Sequence, residues 1–172
     1  ALSSLSAGVL VTTQGWTILN LGSIVPVLVC GAALIWLAYP NNPTANLWHA
    51  QAIERIIEVA PGLVVMDEAY QPFAERDSMP WLERHDHVLI MRTMSKFGLA
   101  GVRIGYLMGR AAIVRELDKL RPPFNVSVLN AEAALFALEH VGEYERQAAV
   151  IRSERTRVIQ GLAQHQGVRV FD

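Results

Sequence analysis

The stretch HVLIMRTMSKFGLAGVRIGYLM, residues 87–108, decides the fold. HVLIM (87–91) and IGYLM (104–108) are apolar runs of strand length. The loop between them collects hydroxyls, an amine, glycines and a guanidinium at Thr93, Ser95, Lys96, Gly98, Gly101 and Arg103. Short apolar runs bounded by turn residues mark strands buried on both faces. Two more lie upstream: ALIWLAY (33–39), which ends in PNNPT, and LVVM (63–66), which closes on Asp67-Glu68.

The segments between these runs read as helices and turns. Asn46 can cap a helix over 47–60, with Leu47, Ile53, Ile56, Ile57 and Ala60 near one face and Pro61-Gly62 ending it. Residues 71–86 read as a short connection. Helices are expected over 110–120 and 127–140, separated by RPPFN, whose prolines break the pattern. A longer amphipathic stretch covers 143–165, and VRVF (168–171) starts another strand. Apolar strands alternating with helices predict an α/β fold: a mostly parallel sheet with helices on both faces.

The chain's 172 residues suffice for a domain with a sizeable core, and a hydrophobic content of 52% excludes disorder. A net charge of −1 gives no footprint for nucleic acid. The single cysteine, Cys30, cannot form an intramolecular disulfide, so a reducing, cytoplasmic setting is the default. Five histidines show no metal-ligand spacing. All 31 charged side chains lie after residue 53. Within the uncharged part, residues 18–38 are long enough to span a bilayer. They lack basic flanks, however, and Asn20, Gly22, Pro26 and Gly31 interrupt them. A buried strand–turn–strand is the preferred reading, with no membrane partner.

In sheets of this kind ligands bind outside the carboxyl ends of the strands. Three strand ends here carry polar groups: Asn41-Asn42-Pro43-Thr44, then Asp67 with Tyr70, then Thr93, Ser95 and Lys96 followed by Arg103. Taken singly, each has a structural explanation. Asp at a strand end caps a turn, Asn-Pro-Thr is a common turn, and a lysine in a glycine-rich loop is solvated. Independent turns give no reason for the whole set at consecutive strand ends. Schiff-base chemistry does: a lysine amine, a carboxylate for a pyridine nitrogen, donors for a phenolate oxygen, and hydroxyls with a guanidinium for a phosphate.

YPNNPT, VVMDEAYQPFA and MRTMSKFGLAGVRIGYLMG resemble the fold-type I pyridoxal-phosphate-dependent aminotransferases of class I/II. Within them they are most similar to the histidinol-phosphate aminotransferase subfamily; threonine-phosphate decarboxylases and some aromatic aminotransferases share the motifs. The resemblance implies pyridoxal 5'-phosphate as cofactor and Lys96 as its Schiff-base lysine and proton-transfer base. It implies Asp67 on the pyridinium nitrogen, Asn42 and Tyr70 on the phenolate oxygen, and Thr93, Ser95 and Arg103 on the phosphate. The implied partners are a small amino donor, a phosphorylated keto substrate and a second subunit in a homodimer. Residues 1–142 would be an incomplete cofactor-binding large domain, and 143–172 a connecting helix with the start of a small α/β domain.

The sequence departs from the family pattern in four places. Ala45 stands where glycine usually follows NPT, and Lys96 to Arg103 is seven positions, one fewer than in many members. These 172 residues are expected to include neither the phosphate loop, stacking aromatic and donated tyrosine of the family's upstream portion nor the substrate-clamping arginine of its downstream domain. Residues 18–32 lack a charged helix face. The expectation is therefore the central part of such an enzyme, with little catalysis of its own; an inactive remnant that only associates with other subunits is the alternative.

Overall fold

The computed structural model describes residues 34–171; Cys30 and most of the 18–38 run, read as a strand–turn–strand, lie outside them. Four strands form one sheet in the order β1 (Leu34–Ala38), β2 (Leu63–Asp67), β3 (Val88–Thr93), β4 (Gly105–Met108). β1, β2 and β3 run parallel, and β4 returns antiparallel beside β3. The mostly parallel α/β sheet expected from the apolar runs is what forms. The antiparallel return follows from the connection, since the 95–102 loop is too short for a crossover helix.

Helix α1 (Ala50–Val59) links β1 to β2. Ile53 and Ile57, one turn apart, are its buried residues, and they pack with Val64, Met66, Val88 and Ile90. Full burial of each such side chain contributes roughly 1.5–3 kcal/mol. The helix starts later than expected. Asn46 is spent on the preceding turn, where its backbone carbonyl accepts Asn41 N–H at 3.0 Å and its side chain accepts the Thr44 hydroxyl. His49 occupies the cap position instead, without a side-chain bond.

The expected connection over 71–86 holds more structure than its sequence suggested. A single 3₁₀ turn (Gln71–Phe73) is followed by α2 (Met79–Arg84), which has Pro80 in its first turn. Trp81 is buried against Tyr39 with ring centroids 5.5 Å apart, and its indole donates to Glu54 of α1 at 2.8 Å.

Three helices follow: α3 (Ala111–Asp118), α4 (Val128–Glu139) and α5 (Val141–Leu162). Ser127 caps α4 by accepting Asn130 N–H at 3.2 Å. Residues 168–171 are irregular, contrary to the strand expected there. An extended segment becomes a strand only by pairing, and none of the four described strands takes it as a neighbour. No helix among the described residues is long and apolar enough to cross a membrane.

Side-chain alternation sorts the sheet into two faces. Val64 and Met66 of β2, with Val88 and Ile90 of β3, face the cluster built on α1 and α2. Val65, Asp67, Leu89, Met91 and Thr93 point to the other face. There Leu89 lies so close to Gly109 that a Cβ at that glycine would fall 2.2 Å from it, with Val114 of α3 beside them.

Candidate active site

The candidate site residues sit at and just beyond the ends of the parallel strands. Asp67 is the last residue of β2 and is half-buried. Its Oδ1 accepts Ala69 N–H at 3.0 Å, and its Oδ2 accepts the Trp36 indole N–H at 3.2 Å. Two donors thus hold the carboxylate in one orientation. Asp67 and Thr93 line a common cavity of about 370 Å³, open on the same face of the sheet.

Thr93 ends β3, and its hydroxyl works locally. It donates to the Ile104 carbonyl at 3.3 Å and accepts Ser95 N–H at 3.1 Å, which turns the chain sharply into the lysine loop. Gly98 continues that turn at φ 103°, a left-handed conformation that favours glycine. Arg103 is also left-handed, at φ 54°, and its Nη1 reaches the Ser95 hydroxyl at 3.4 Å and the Ala100 carbonyl at 3.3 Å. The seven-residue interval from Lys96 therefore still brings the guanidinium to the serine.

Lys96 is exposed, and its Nζ stands over the Tyr70 ring, 5.0 Å from the centroid. This cation–π contact joins the lysine loop to the turn that follows β2. Asn42 is exposed in the turn after β1 and lines a separate cavity of about 480 Å³ together with Tyr70. The structure thus brings together Lys96 with Tyr70, Ser95 with Arg103, and Thr93 with Ser95. Asp67 is engaged by Trp36 and Ala69, and Asn42 meets the set only through the cavity it shares with Tyr70.

Behind the site lies a charged network that the motif reading passed over. Glu68, buried at 1% exposure, accepts Arg92 Nε at 2.7 Å and the backbone N–H of Ser78. Arg92 Nη2 also donates to Asp77 at 3.1 Å. Burial alone would depress the Arg92 guanidinium, but hydrogen bonding and charge pairing with Glu68 outweigh it and hold the group above its ordinary pKa. Glu68 follows Asp67, and Arg92 precedes Thr93. The pair therefore ties the ends of β2 and β3 together where their functional residues leave the sheet. Its sequence signal was an acid and a base at the ends of apolar strands, positions that rarely carry an unpaired charge.

At and just beyond the parallel strand ends stand an amine beside a phenol, a carboxylate held by two donors, and a hydroxyl beside a guanidinium, groups of the kind a carbonyl-bearing, phosphorylated ligand requires. The comparisons agree with that class. The family profile described as aminotransferase class I and II matches residues 27–172, and the chain belongs to that family. It is 63% identical over 142 residues to the histidinol-phosphate aminotransferase of Methylibium petroleiphilum, covering 81% of this chain and 38% of that protein. To the histidinol-phosphate aminotransferase of Paracidovorax citrulli it is 57% identical over 151 residues, covering 81% and 40%.

Among solved structures, the fold resembles histidinol-phosphate aminotransferase from Sinorhizobium meliloti in complex with pyridoxal-5'-phosphate. The TM-score is 0.66 at 34% identity, over 76% of this chain and 37% of that one. The L-threonine-O-3-phosphate decarboxylase of Porphyromonas gingivalis shares the fold, with a TM-score of 0.68 at 24% identity over 81% and 44%. The chain thus spans about two fifths of the length of the curated relatives it matches.

Proposed function

We propose that this chain is part of a pyridoxal-phosphate-dependent transaminase that exchanges the amino group between histidinol phosphate and 2-oxoglutarate, giving imidazole-acetol phosphate and glutamate, in histidine biosynthesis. The observation that carries the reading is the Lys96 amine standing over Tyr70, in the loop where Arg103 meets Ser95. The choice of subfamily is supported by the 63% identity to a histidinol-phosphate aminotransferase.

The donor set fits the cofactor chemically. Pyridoxal phosphate, when bound, supplies an aldehyde that condenses with amines and a ring that accepts electrons from the substrate α-carbon. Lys96 Nζ would hold that aldehyde and would serve as the group that moves the proton at the substrate. Asp67, held by Trp36 and Ala69, would keep a proton on the pyridine nitrogen. Asn42 and Tyr70 would donate to the phenolate oxygen, and Ser95 and Arg103 would hold the phosphate, with Thr93 joining them if its hydroxyl turns from the Ile104 carbonyl. A guanidinium with hydroxyls and backbone N–H groups is the usual grip on that dianion.

In this reading residues 1–142 are part of the cofactor-binding large domain, and 143–172 are the connecting helix and the beginning of a second domain. The enzyme works as a cytoplasmic homodimer, a reading supported by the family resemblance and the single cysteine. Addition of pyridoxal phosphate to the chain tests the site: an absorbance band near the visible should appear in the wild type and be lost in Lys96→Ala. The same band in both proteins would overturn the assignment of Lys96. Product formation from histidinol phosphate then tests the substrate.

A further inference from the structure

Helix α5 touches both loops on which the site depends. Arg152 Nη1 donates to the carbonyl of Pro72, and Arg155 Nη1 to that of Phe73 at 3.0 Å. Neither guanidinium has a carboxylate within ion-pairing distance among the described residues. The two carbonyls they choose need an outside donor. Within the 71–73 turn, Phe73 N–H is bonded to Tyr70 O at 3.1 Å and Ala74 N–H to Gln71 O at 2.9 Å. The carbonyls of Pro72 and Phe73 come after the last internal bond. A cation is also the favourable charge at the negative end of a helical turn.

The same face of α5 holds the lysine loop. Tyr144 stacks on Phe97 with centroids 4.9 Å apart and an interplanar angle of 24°. Its ring also closes on Gly98, where an added Cβ would lie 3.2 Å from Cδ1 and 3.3 Å from Cε1. Tyr144, Ala148, Arg152 and Arg155 recur at helical spacing on one face. Ala148 is buried between the two contacts, and a 70 Å³ cavity lined by Pro72, Lys96, Gly98 and Tyr144 lies between the loops.

We propose that α5 positions the Lys96 amine over the Tyr70 ring, with Arg152 and Arg155 holding the Tyr70 turn and Tyr144 holding the lysine loop. The proposal rests on the roles given to Lys96 and Tyr70 above. Those residues leave different strands; Lys96 is itself exposed, and the apolar anchorage of its loop, through Met94, Leu99 and Val102 against Ala134 and Ala137 of α4, also takes in Tyr144. A helix is a rigid ruler between them: eight residues from Tyr144 to Arg152 set their rungs about 12 Å apart. Both arginines and Tyr144 are positioning residues, acting through the loops they hold.

Hydrogen exchange of the chain without cofactor reads this brace directly. Arg152→Met removes the donors and keeps an apolar stem. Amides of Phe73 and Ala74 should then exchange about 10-fold faster or more, the factor expected from losing a hydrogen bond to a charged donor. Amides 95–99, held by Tyr144, should keep their rates, as should those of β2 and β3, and Arg152→Lys should recover part of the protection. Unchanged rates at 73–74 would overturn the proposal, as would equal acceleration in β2 and β3, which marks a general loss of stability. Should Arg152→Met fail to fold, Tyr144→Leu serves instead: it should accelerate 95–99 while sparing 73–74, and any other pattern overturns the brace. No cofactor enters this measurement, so its failure is distinct from a failure of the Schiff-base assignment, which Lys96→Ala tests.

Discussion

Replacement of Glu68 is the sharpest test of how the strand ends are held. Its side chain is fully buried, and that of Arg92 is 19% exposed. In Glu68→Ala, Arg92 loses its 2.7 Å partner, and the N–H of Ser78, a residue of 0% exposure, loses its acceptor. Breaking a buried pair by removing one member costs about 3–5 kcal/mol. Orphaning a buried N–H adds about 1–3 kcal/mol. The first cost falls at the low end because Arg92 keeps Asp77 at 3.1 Å, on the more exposed side. The net expectation is a loss of about 4 kcal/mol, a large share of the 5–15 kcal/mol typical of a folded domain. Glu68→Gln keeps an acceptor for Ser78 and should cost about 2 kcal/mol.

Urea unfolding measures both variants, provided the slope m is unchanged. An exposed pair serves as control: Arg157→Ala, which breaks the contact to Glu154, should leave the midpoint where it was. A Glu68→Ala midpoint as close to wild type as that control would refute the reasoning, because it would mean the carboxylate is not desolvated in the folded chain. A double-mutant cycle with Arg92→Met isolates the pair: if the two variants add without coupling, no interaction joins them.

Three further outcomes follow from individual positions. Gly98→Ala must place a side chain at φ 103° and 3.2 Å from Tyr144, so it should destabilise by about 1–3 kcal/mol in the same unfolding assay. Ala45 is held at φ 60°, and Ala45→Gly should stabilise by about 0.5 kcal/mol, the left-handed strain relieved less the added chain entropy of glycine. Glu143 is pushed down to about 2 by hydrogen bonds from Arg146 and Gln147. Its folded value is thus depressed below the ordinary 4.5, so its contribution is complete above that pH and fades as pH falls toward 2. A carboxyl NMR titration should find this midpoint, and Arg146→Ala should return it toward the ordinary range.

The parts of the fold that could be read in advance are those where one property decides. Four apolar runs became four strands, but only β2 and β3 are buried through the run as a doubly covered strand requires; β1 and β4, at the edges of the described sheet, leave Leu34, Trp36 and Tyr106 exposed. Ile53 and Ile57 announced the buried face of α1 by their spacing. What escaped the reading was decided by competition between partners. Asn46 carries the right group for a helix cap, but the turn holding Asn41 and Thr44 takes it first. Nothing within residues 71–86 says that Ser78 N–H will be claimed by Glu68, ten positions earlier.

The same division runs through the site. Lys96, Asp67 and Arg103 stand out in the sequence because each is a chemically costly group at or just past the end of an apolar strand, and the roles proposed for them follow from the family resemblance. The orientation of these groups was not legible, because it is set by Trp36, Tyr144, Arg152 and Arg155, which read as an apolar strand residue and an ordinary charged helix. Arg152 and Arg155 show why such residues stay hidden. A guanidinium bound to a carboxylate leaves a complementary charge in the sequence, but one bound to backbone carbonyls leaves none. The groups proposed to perform chemistry are thus conspicuous by type, whereas those proposed to aim them are conspicuous only by where the fold puts them. For this chain that places the burden of precision on α5 and on the Glu68–Arg92 pair, one on each side of the strand ends that carry the site.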